Sequence, residues 1–243
     1  MTVSKKIFLT GSSGGIGSAI CDKFLKEKYS LILTSSSADK LKKLKDKYGA
    51  SHFYYEIDLS NAETLQENLD EISQNHKDIS VIINNAGKTH DNLIFRMKKE
   101  QWSEVIQTNL NSNYQIIKSL LPNMLSNKYG RIVGIASIVG STGNPGQANY
   151  VASKSGMVGL YKSIAIEVAR RNINVNVISP GFISTSMTDN LNDDQKKAYL
   201  SKIPMMRFGK PEDVANLAYF LSTDDSAYIT GQNLHINGGM LMV

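Results

Sequence analysis

The sequence predicts an α/β fold, built as a doubly wound parallel β-sheet of about seven strands with helices on both faces. Short runs of β-branched residues alternate along the chain with segments that show helical periodicity. The runs are continuously apolar, as expected for strands that are covered on both sides. Strands and helices that alternate in this way form parallel sheets, and such sheets bind ligands beyond the carboxyl ends of their strands.

Seven strand candidates and four main helical segments divide the chain. The strands are expected at 7–10, 31–34, 53–57, 80–84, 131–136, 175–179 and 233–237. The helical patterns cover 61–75, 98–121, 148–171 and 211–221, and the lysine-rich run 40–47 is expected to be the solvent face of another helix. Because α/β units often reach this size without splitting, we expect a single domain over 1–243.

The composition favours a cytoplasmic protein that does not enter a membrane. No stretch approaches the roughly 18 consecutive apolar residues of a membrane span, and the N-terminus has no signal-peptide pattern. Cys21 is the only cysteine, so no intrachain disulfide is possible and a reducing compartment fits. We expect Cys21 to be a buried apolar residue rather than a nucleophile.

Charge and histidine placement argue against two classes of function. The net charge of +5 arises from 22 lysines and only 5 arginines, whereas nucleic-acid readout favours arginines interleaved with aromatic residues. We therefore expect no nucleic-acid binding. The four histidines are scattered without the spacing of metal ligands, so we predict no metal site.

A glycine-rich turn, T-G-S-S-G-G-I-G at 10–17, follows the first strand and opens the first helix. Glycines allow a tight turn and close approach of a pyrophosphate, which then lies at the positive N-terminus of the helix. The spacing is wider than that of the standard dinucleotide fingerprint, and a purely structural turn is the alternative. We predict a nucleotide site formed by Gly11, Ser12, Ser13, Gly14, Gly15, Ile16 and Gly17.

The end of the second strand bears on the choice of cofactor. An NAD site usually has an acidic residue here to bind the ribose 2′-hydroxyl, but this chain has the hydroxyl run Thr34 to Ser37. The first acidic residue is Asp39, which we expect to start the next helix. Hydroxyl groups such as that of Ser36 would tolerate a 2′-phosphate and favour NADPH, while a serine-rich turn without function is the alternative.

Three further strand ends carry candidate site residues. Asp58 and Leu59 follow the third strand, where an adenine ring should lie. The run N-N-A-G at 84–87 follows the fourth, which makes Asn85, Ala86 and Gly87 cofactor-lining candidates. Ser137 follows the fifth strand, where its hydroxyl could hold a substrate carbonyl oxygen; a structural serine is the alternative.

The strongest chemical signal is Tyr150 followed four residues later by Lys154. Four residues are one helical turn, so a helix would bring the phenol and the ammonium to one face. Reduction of a ketone by hydride needs an acid that works near neutral pH, and a free tyrosine with a pKa of about 10 is too weak. An ammonium about 5 Å away would favour the phenolate by roughly 3 kcal/mol. We therefore predict that Lys154 lowers the pKa of Tyr150.

These motifs, in this order and spacing, resemble the short-chain dehydrogenase/reductase family over nearly the whole chain. The resemblance implies a Rossmann-type fold and a catalytic set of Asn109, Ser137, Tyr150 and Lys154. Asn109 would hold a water that relays protons to Lys154, and Ser137 would bind the substrate. Tyr150 and Lys154 would also contact the cofactor, as would Pro180, Gly181 and Ile183 beside the nicotinamide.

A closer resemblance is to the β-ketoacyl-acyl-carrier-protein reductases of fatty acid synthesis. It rests on the stretches 84–98, 137–150, 174–183 and 228–243. It implies NADPH-dependent reduction of 3-oxoacyl-[acyl-carrier-protein], with reduction of acyl-CoA thioesters as the alternative. A cofactor-sensing regulator would predict loss of Tyr150 or Lys154, and both are present. One departure is Gly14, where many of these enzymes carry a basic residue that helps to hold the 2′-phosphate.

The resemblance also implies partners. It points to a homotetramer, which the small residues of segment 148–171 and the apolar C-terminus would suit, and to an acidic acyl-carrier protein as the bearer of the substrate. Lys128 and Arg171 match positions that the family uses to dock this carrier beside the site entrance; solvated helix-end cations are the alternative. Residues 184–210 look like a mobile substrate lid.

Overall fold

The computed structural model describes residues 5–185 and 192–243, and seven parallel strands form one sheet in these ranges. The order of the strands across the sheet is β3-β2-β1-β4-β5-β6-β7. The strands are β1 Lys6–Leu9, β2 Ser30–Ser35, β3 Phe53–Glu56, β4 Val81–Asn84, β5 Gly130–Ile135, β6 Ile173–Pro180 and β7 Asn233–Ile236. The predicted α/β class, the parallel sheet and the number of strands are confirmed.

Helices cover both faces of this sheet, as predicted. They are α1 Gly15–Lys26, α2 Ala38–Tyr48, α3 Ala62–Asn75, α4 Lys99–Ile106, α5 Ser112–Asn127, α6 Val139–Thr142, α7 Ala148–Val168, α8 Asp193–Leu200 and α9 Pro211–Phe220. Successive strand residues point to opposite faces. In β1, Phe8 packs in the core beneath α3, α5 and α7, while Ile7 and Leu9 pack beneath α1, α2 and α9. Both faces of β1 are therefore covered by apolar side chains, which explains its uninterrupted apolar run at 7–9.

The largest difference from the predicted elements lies in segment 98–121. Its periodicity predicts one helix, but the structure has two α-helices, α4 and α5, separated by a π-helical stretch at Gln107–Asn111. Helix α5 also continues past Pro122 to Asn127. Segment 148–171 forms α7 and then a 3₁₀ turn over Ala169–Arg171. The strand bounds differ from the predicted ones by at most two residues.

The order of the strands reverses between β1 and β4. β1 and β4 are parallel neighbours in the sheet. After β1 the chain adds β2 and β3 on one side, and after β4 it adds β5, β6 and β7 on the other side. A crevice forms at such a point because the connections after the two strands leave in opposite directions. The glycine-rich turn follows β1 and the N-N-A-G run follows β4, so the sheet brings both to the same crevice.

The predicted lid is described only in part, because residues 186–191 lie outside the described ranges. Its C-terminal part contains α8, from which the Tyr199 ring packs 4.2 Å from the ring of Phe182. Met205, near the end of the same segment, lines a small cavity of about 250 Å³ together with Phe182. Closure of the segment over a substrate stays a prediction. No helix in the described ranges is both long enough and apolar enough to span a lipid bilayer.

Candidate active site

A cavity of about 620 Å³ opens at the carboxyl ends of β1, β2, β3 and β4. Twelve of the predicted cofactor residues line it: Gly11, Ser13, Gly14, Gly15, Ile16, Gly17, Ser36, Asp58, Leu59, Asn85, Ala86 and Gly87. They come from four separate strand ends, which the crevice brings together. The size and the position of the cavity suit a dinucleotide.

The glycine-rich turn has a backbone that only glycine would tolerate at two positions. Gly11 has a positive φ of +66°, and a Cβ at Gly17 would lie only 2.1 Å from the Gly11 carbonyl oxygen. The side chain of Asn85 fixes this turn by donating to the carbonyl oxygens of Thr10 and Gly11, both at 3.1 Å. The turn thus leads directly into the N-terminus of α1, whose free backbone amides and positive dipole charge would favour binding of a pyrophosphate.

At the end of β2, the cavity wall carries hydroxyl groups and a cation. Thr34, Ser35 and Ser36 line it, and so does Lys40 in the first turn of α2. Asp39 is in that first turn, as predicted, but it does not line the cavity. An environment of hydroxyls and an ammonium, without a carboxylate, fits a 2′-phosphate better than a free 2′-hydroxyl.

Besides Tyr150 and Lys154, four predicted cofactor residues do not line this cavity. Ser12 is fully buried, donates to the Leu9 carbonyl at 3.0 Å and accepts from the Thr34 amide at 3.2 Å, so its hydroxyl connects β1 to β2. The other three lie in or after β6: Pro180, Gly181 and Ile183. Ile183 forms a bridge to Gly209 and is buried. Contacts of these three with a nicotinamide stay a prediction.

The predicted pair of Tyr150 and Lys154 lies on α7, one turn apart. The Lys154 Nζ is 5.6 Å from the centroid of the Tyr150 ring. The lysine is buried, and its ammonium donates to the Ile135 carbonyl at 2.7 Å, at the end of β5. Burial lowers the pKa of Lys154 to about 8, so the ammonium stays mostly charged at pH 7.

The pKa of Tyr150 differs from our prediction. Burial raises the pKa of its phenol above the usual value; the hydroxyl of Ser137 acts in the opposite direction and Asp91 adds to the rise. Removal of the phenolate from water therefore costs more free energy than the neighbouring groups return by stabilising it. The predicted net lowering by Lys154 is wrong for this state, because desolvation was left out of the sequence argument. Ser137 follows β5 and is close enough to act on the phenol, as its position predicted.

Asn109 lies in the π-helical stretch and is fully buried. Its Oδ1 accepts from the Lys88 amide at 2.8 Å, and its Nδ2 donates to the Lys88 carbonyl at 2.9 Å and to the Ser153 Oγ at 3.1 Å. A single extra residue in a helix often marks a functional site, because it redirects one side chain without ending the helix. Here it turns Asn109 toward α7 and toward Gly87, where Lys154 also lies.

Sequence reasoning missed six residues that line the large cavity: Lys40, Ile57, Ser60, Lys88, Thr108 and Thr185. Four of them are direct neighbours of predicted residues, so a wider margin around each predicted residue would have included them. Lys40 had a different signal, since a lysine in the first turn of a helix is opposed by the helix dipole unless an anion lies nearby. The run 40–47 was interpreted only as a solvent face.

The docking candidates do not lie beside this site within one chain. Lys128 precedes β5 and Arg171 precedes β6, whereas Ser137 follows β5. The first residues of these strands, Gly130 and Ile173, are paired, so the two cations are near each other. They occupy the amino ends of the strands, a strand length of roughly 20 Å from the carboxyl ends. Within one chain these two cations therefore do not form a patch at the site entrance, and docking of a carrier on them stays a prediction.

Comparison with known proteins agrees with this geometry. The family model described as Enoyl-(Acyl carrier protein) reductase matches residues 11–241. The chain belongs to this family of short-chain dehydrogenases/reductases. Its members in the curated set include the 3-oxoacyl-[acyl-carrier-protein] reductase FabG of Rickettsia bellii (strain RML369-C), which is 47% identical over 97% of this chain and 96% of its own length.

Two further relatives share that description. The enzyme of Buchnera aphidicola subsp. Schizaphis graminum (strain Sg) is 44% identical over the full length of both chains. The enzyme of Rickettsia felis (strain ATCC VR-1525 / URRWXCal2) is 46% identical over 98% of each chain. The short-chain dehydrogenase/reductase resemblance predicted from the motifs is thereby confirmed.

Proposed function

We propose that this chain is an NADPH-dependent 3-oxoacyl-[acyl-carrier-protein] reductase, which forms the 3-hydroxyacyl thioester in fatty acid synthesis. The observation that carries the proposal is the convergence of Ser137, Tyr150 and Lys154 at the carboxyl ends of the strands, beside a glycine-lined dinucleotide cavity. Relatives with this activity in their names match over nearly all of the chain. We also propose that the chain acts as a single domain in the cytoplasm.

Tyr150 is the proton donor in the proposed mechanism. Its raised pKa keeps the phenol protonated at neutral pH, which an acid needs before it can give up a proton. Ser137 holds the substrate carbonyl oxygen by a hydrogen bond from its hydroxyl. As negative charge develops on that oxygen, the phenol transfers its proton to it, and the product is the 3-hydroxyl group.

Lys154 acts on the phenolate that this step leaves behind. Its ammonium lies 5.6 Å from the ring centroid, and its positive charge favours the phenolate over the neutral phenol. Because burial has already lowered its pKa to about 8, the lysine can also pass a proton back to Tyr150. Asn109, which lies next to Gly87 as Lys154 does, is proposed to support this relay.

The cofactor we propose is NADPH, which supplies the hydride for the β-carbonyl carbon when it is bound. Gly11, Gly15 and Gly17 would hold its pyrophosphate at the N-terminus of α1. Ser36 and Lys40 would hold the 2′-phosphate. The ammonium of Lys40 would thereby replace the basic side chain that many of these enzymes carry at the position of Gly14. Tyr150 and Lys154 would contact the nicotinamide ribose.

We further propose a homotetramer, which is supported by large apolar side chains that are exposed in the single chain. Leu93, Ile94 and Phe95 are exposed ahead of α4, and Tyr114 is exposed on α5. Burial of such side chains against another copy would remove apolar area from water. A neighbouring chain would also be needed to bring Lys128 and Arg171 to the entrance of an active site, so the docking proposal depends on the tetramer proposal.

Three alternatives remain as competing hypotheses. The description of the family model favours reduction of an enoyl thioester at its carbon–carbon double bond. However, a phenol and a hydroxyl that converge on one oxygen suit a carbonyl better. Reduction of acyl-CoA thioesters uses the same site and differs only in the carrier. A cofactor-sensing regulator on this fold would not need Tyr150 and Lys154, and both are present.

The experiment that tests the proposal measures turnover of acetoacetyl-carrier protein, acetoacetyl-CoA and crotonyl-carrier protein, each with NADPH and with NADH. We expect acetoacetyl-carrier protein with NADPH to give the highest kcat/KM. Tyr150→Phe should keep NADPH binding and lose about 10²–10⁴-fold in kcat, because only the acidic hydroxyl is removed. Preference for the crotonyl substrate, or normal turnover by Tyr150→Phe, would refute the proposed reaction.

A further inference from the structure

Asn149 is a fully buried residue that directly precedes Tyr150 at the start of α7. Its Oδ1 accepts from the backbone amide of Tyr150 at 2.8 Å. Its Nδ2 donates to the carbonyl oxygens of His90 at 3.0 Å and Gln101 at 3.1 Å. The first amides of a helix have no partner within the helix, so Asn149 both satisfies one of them and attaches the first turn of α7 to α4 and to the loop after β4.

The loop after β4 is also connected to the backbone carbonyl of Tyr150, through the side chains of Asn109 and Ser153. The Lys88 backbone is bound at both its amide and its carbonyl by the Asn109 side chain, at 2.8 Å and 2.9 Å. Asn109 also donates to the Ser153 Oγ at 3.1 Å. Ser153 in turn donates to the Tyr150 carbonyl at 2.7 Å. These bonds close a ring that starts at the Tyr150 amide, passes through Asn149, the loop 88–90, Asn109 and Ser153, and ends at the Tyr150 carbonyl.

The other two groups of the site are anchored elsewhere. Ser137 follows β5, and the Lys154 ammonium is bound to the Ile135 carbonyl in β5. The position of the phenol relative to these groups therefore depends on how the first turn of α7 sits against β5. The backbone of Tyr150 is held in that place by the ring, whose members Asn109, Asn149 and Ser153 are fully buried and therefore out of contact with bulk water.

We propose that Asn149 is a positioning residue for Tyr150, a role that rests on the proposed function and deepens it. Asn149 touches neither the cavity nor the reacting atoms, and it acts only through the backbone of Tyr150. Loss of its three hydrogen bonds would release the first turn of α7 from α4. A displacement of about 1 Å in a catalytic group can lower the rate about 10²-fold, so this effect should appear in kcat.

Two variants of Asn149 test the proposal. Asn149→Asp keeps the size and the acceptor for the Tyr150 amide, but it directs an oxygen at the carbonyls of His90 and Gln101. Asn149→Ala removes all three bonds. We expect kcat for acetoacetyl-carrier protein to fall about 10²-fold in both, while the Kd for NADPH, measured by fluorescence titration, stays within about twofold. The alkaline limb of the kcat–pH profile, where the Tyr150 phenol loses its proton, should move as the surroundings of the phenol change.

A matched control comes from Asn174 in β6, which also donates from a buried amide to two carbonyls, those of Ala227 and Ile229, both at 3.0 Å. Asn174→Asp should lower the unfolding midpoint and leave kcat unchanged, because this asparagine lies at the opposite end of the strand from the site. A similar fall in kcat for Asn149→Asp and Asn174→Asp would show a general loss of stability and overturn the proposal.

A double-mutant cycle separates positioning from any other role. In a Tyr150→Phe background, Asn149→Ala should cause no further loss of kcat, because the group that it positions is already absent. Additive losses would refute the inference. If Asn149→Ala does not fold, Ser153→Ala breaks the ring on its other side and should also lower kcat; normal kcat in that variant would equally refute it. An inactive wild-type protein would instead refute the proposed function.

Discussion

Replacement of Lys154 by methionine should make the protein more stable at neutral pH while it abolishes activity. The lysine is buried and its ammonium has one hydrogen bond, to the Ile135 carbonyl at 2.7 Å. Burial alone lowers its pKa from the usual 10.5 to about 8. Among the residues that the structure describes, no carboxylate forms an ion pair with this ammonium, so its burial is costly, and methionine fills a similar volume without a charge.

The size of the effect follows from the pKa values. The difference between 10.5 and about 8 corresponds to roughly 3 kcal/mol of unfolding free energy. Below pH 8 both the folded and the unfolded chain bind this proton, so the penalty is present in full. Between pH 8 and 10.5 only the unfolded chain binds it, so the stability of the wild type rises with pH. Loss of the hydrogen bond to Ile135 costs about 1 kcal/mol, which leaves a net gain of about 2 kcal/mol for Lys154→Met at pH 7.

Urea unfolding of the wild type and of Lys154→Met at pH 6.5, 8 and 9.5 measures this effect. The advantage of the variant should be largest at pH 6.5 and should shrink as the pH rises to 9.5. Lys162→Met provides the control, since Lys162 is on the same helix but exposed, and it should show no such trend. A Lys154→Met protein that is less stable than the wild type at pH 6.5, or a difference that does not change with pH, would refute the reasoning.

Three further substitutions test cofactor choice, docking and the core. Ser36→Asp places a carboxylate in the cavity wall and should shift the ratio of kcat/KM for NADPH and NADH toward NADH, by repulsion of the 2′-phosphate. Lys128→Glu with Arg171→Glu should lower kcat/KM for acetoacetyl-carrier protein most at low salt, since surface charges mainly set encounter rates. Tyr161→Phe should lower the unfolding free energy by about 2 kcal/mol, because its buried hydroxyl bridges two asparagine side chains at 2.7 and 2.8 Å.

Each of these three predictions would be contradicted by a particular result. An unchanged cofactor ratio in Ser36→Asp would mean that the 2′-phosphate does not lie at the end of β2. Equal losses on a carrier-linked substrate and on a small thioester mimic would show that the charge reversals damage the fold rather than docking. A Tyr161→Phe variant as stable as the wild type would mean that the asparagines find other partners, and far-UV circular dichroism with urea titration measures that stability.

The strands could be predicted from the sequence because both of their faces are buried. The central residues of β2 are apolar, β6 places apolar residues at four of its eight positions, and serines follow β2 while Asn172 and Gly181 bound β6. The π-helical stretch could not be predicted in this way. Periodicity over a long window averages out one extra residue, so 98–121 reads as a single helix. The tertiary contacts of Asn109, which fix that residue, are invisible in a local pattern.

The cavity wall shows a second limit of the sequence. Ser12 and Ser13 are neighbours in one turn, and both were predicted to bind the cofactor. In the structure, Ser12 points inward to Leu9 and Thr34, while Ser13 lines the cavity. Which of two adjacent serines faces a ligand depends on the turn made at Gly11, and residue type alone does not specify it. The direction of the Tyr150 pKa shift was predicted wrongly for the same reason. Desolvation of the phenol depends on its three-dimensional surroundings, which the spacing of residues in the sequence does not reveal.

The position of the docking pair, by contrast, could have been derived from the sequence. In a parallel sheet every strand runs the same way, so residues that precede strands lie at the opposite edge from residues that follow them. Lys128 and Arg171 precede β5 and β6, and Ser137 follows β5. We therefore propose that a carrier docked on these cations delivers its substrate to the active site of another copy. In a variant that size-exclusion chromatography shows to be monomeric, the two charge reversals should therefore no longer lower kcat/KM for acetoacetyl-carrier protein. If they still lower it in the monomer, docking across subunits is contradicted.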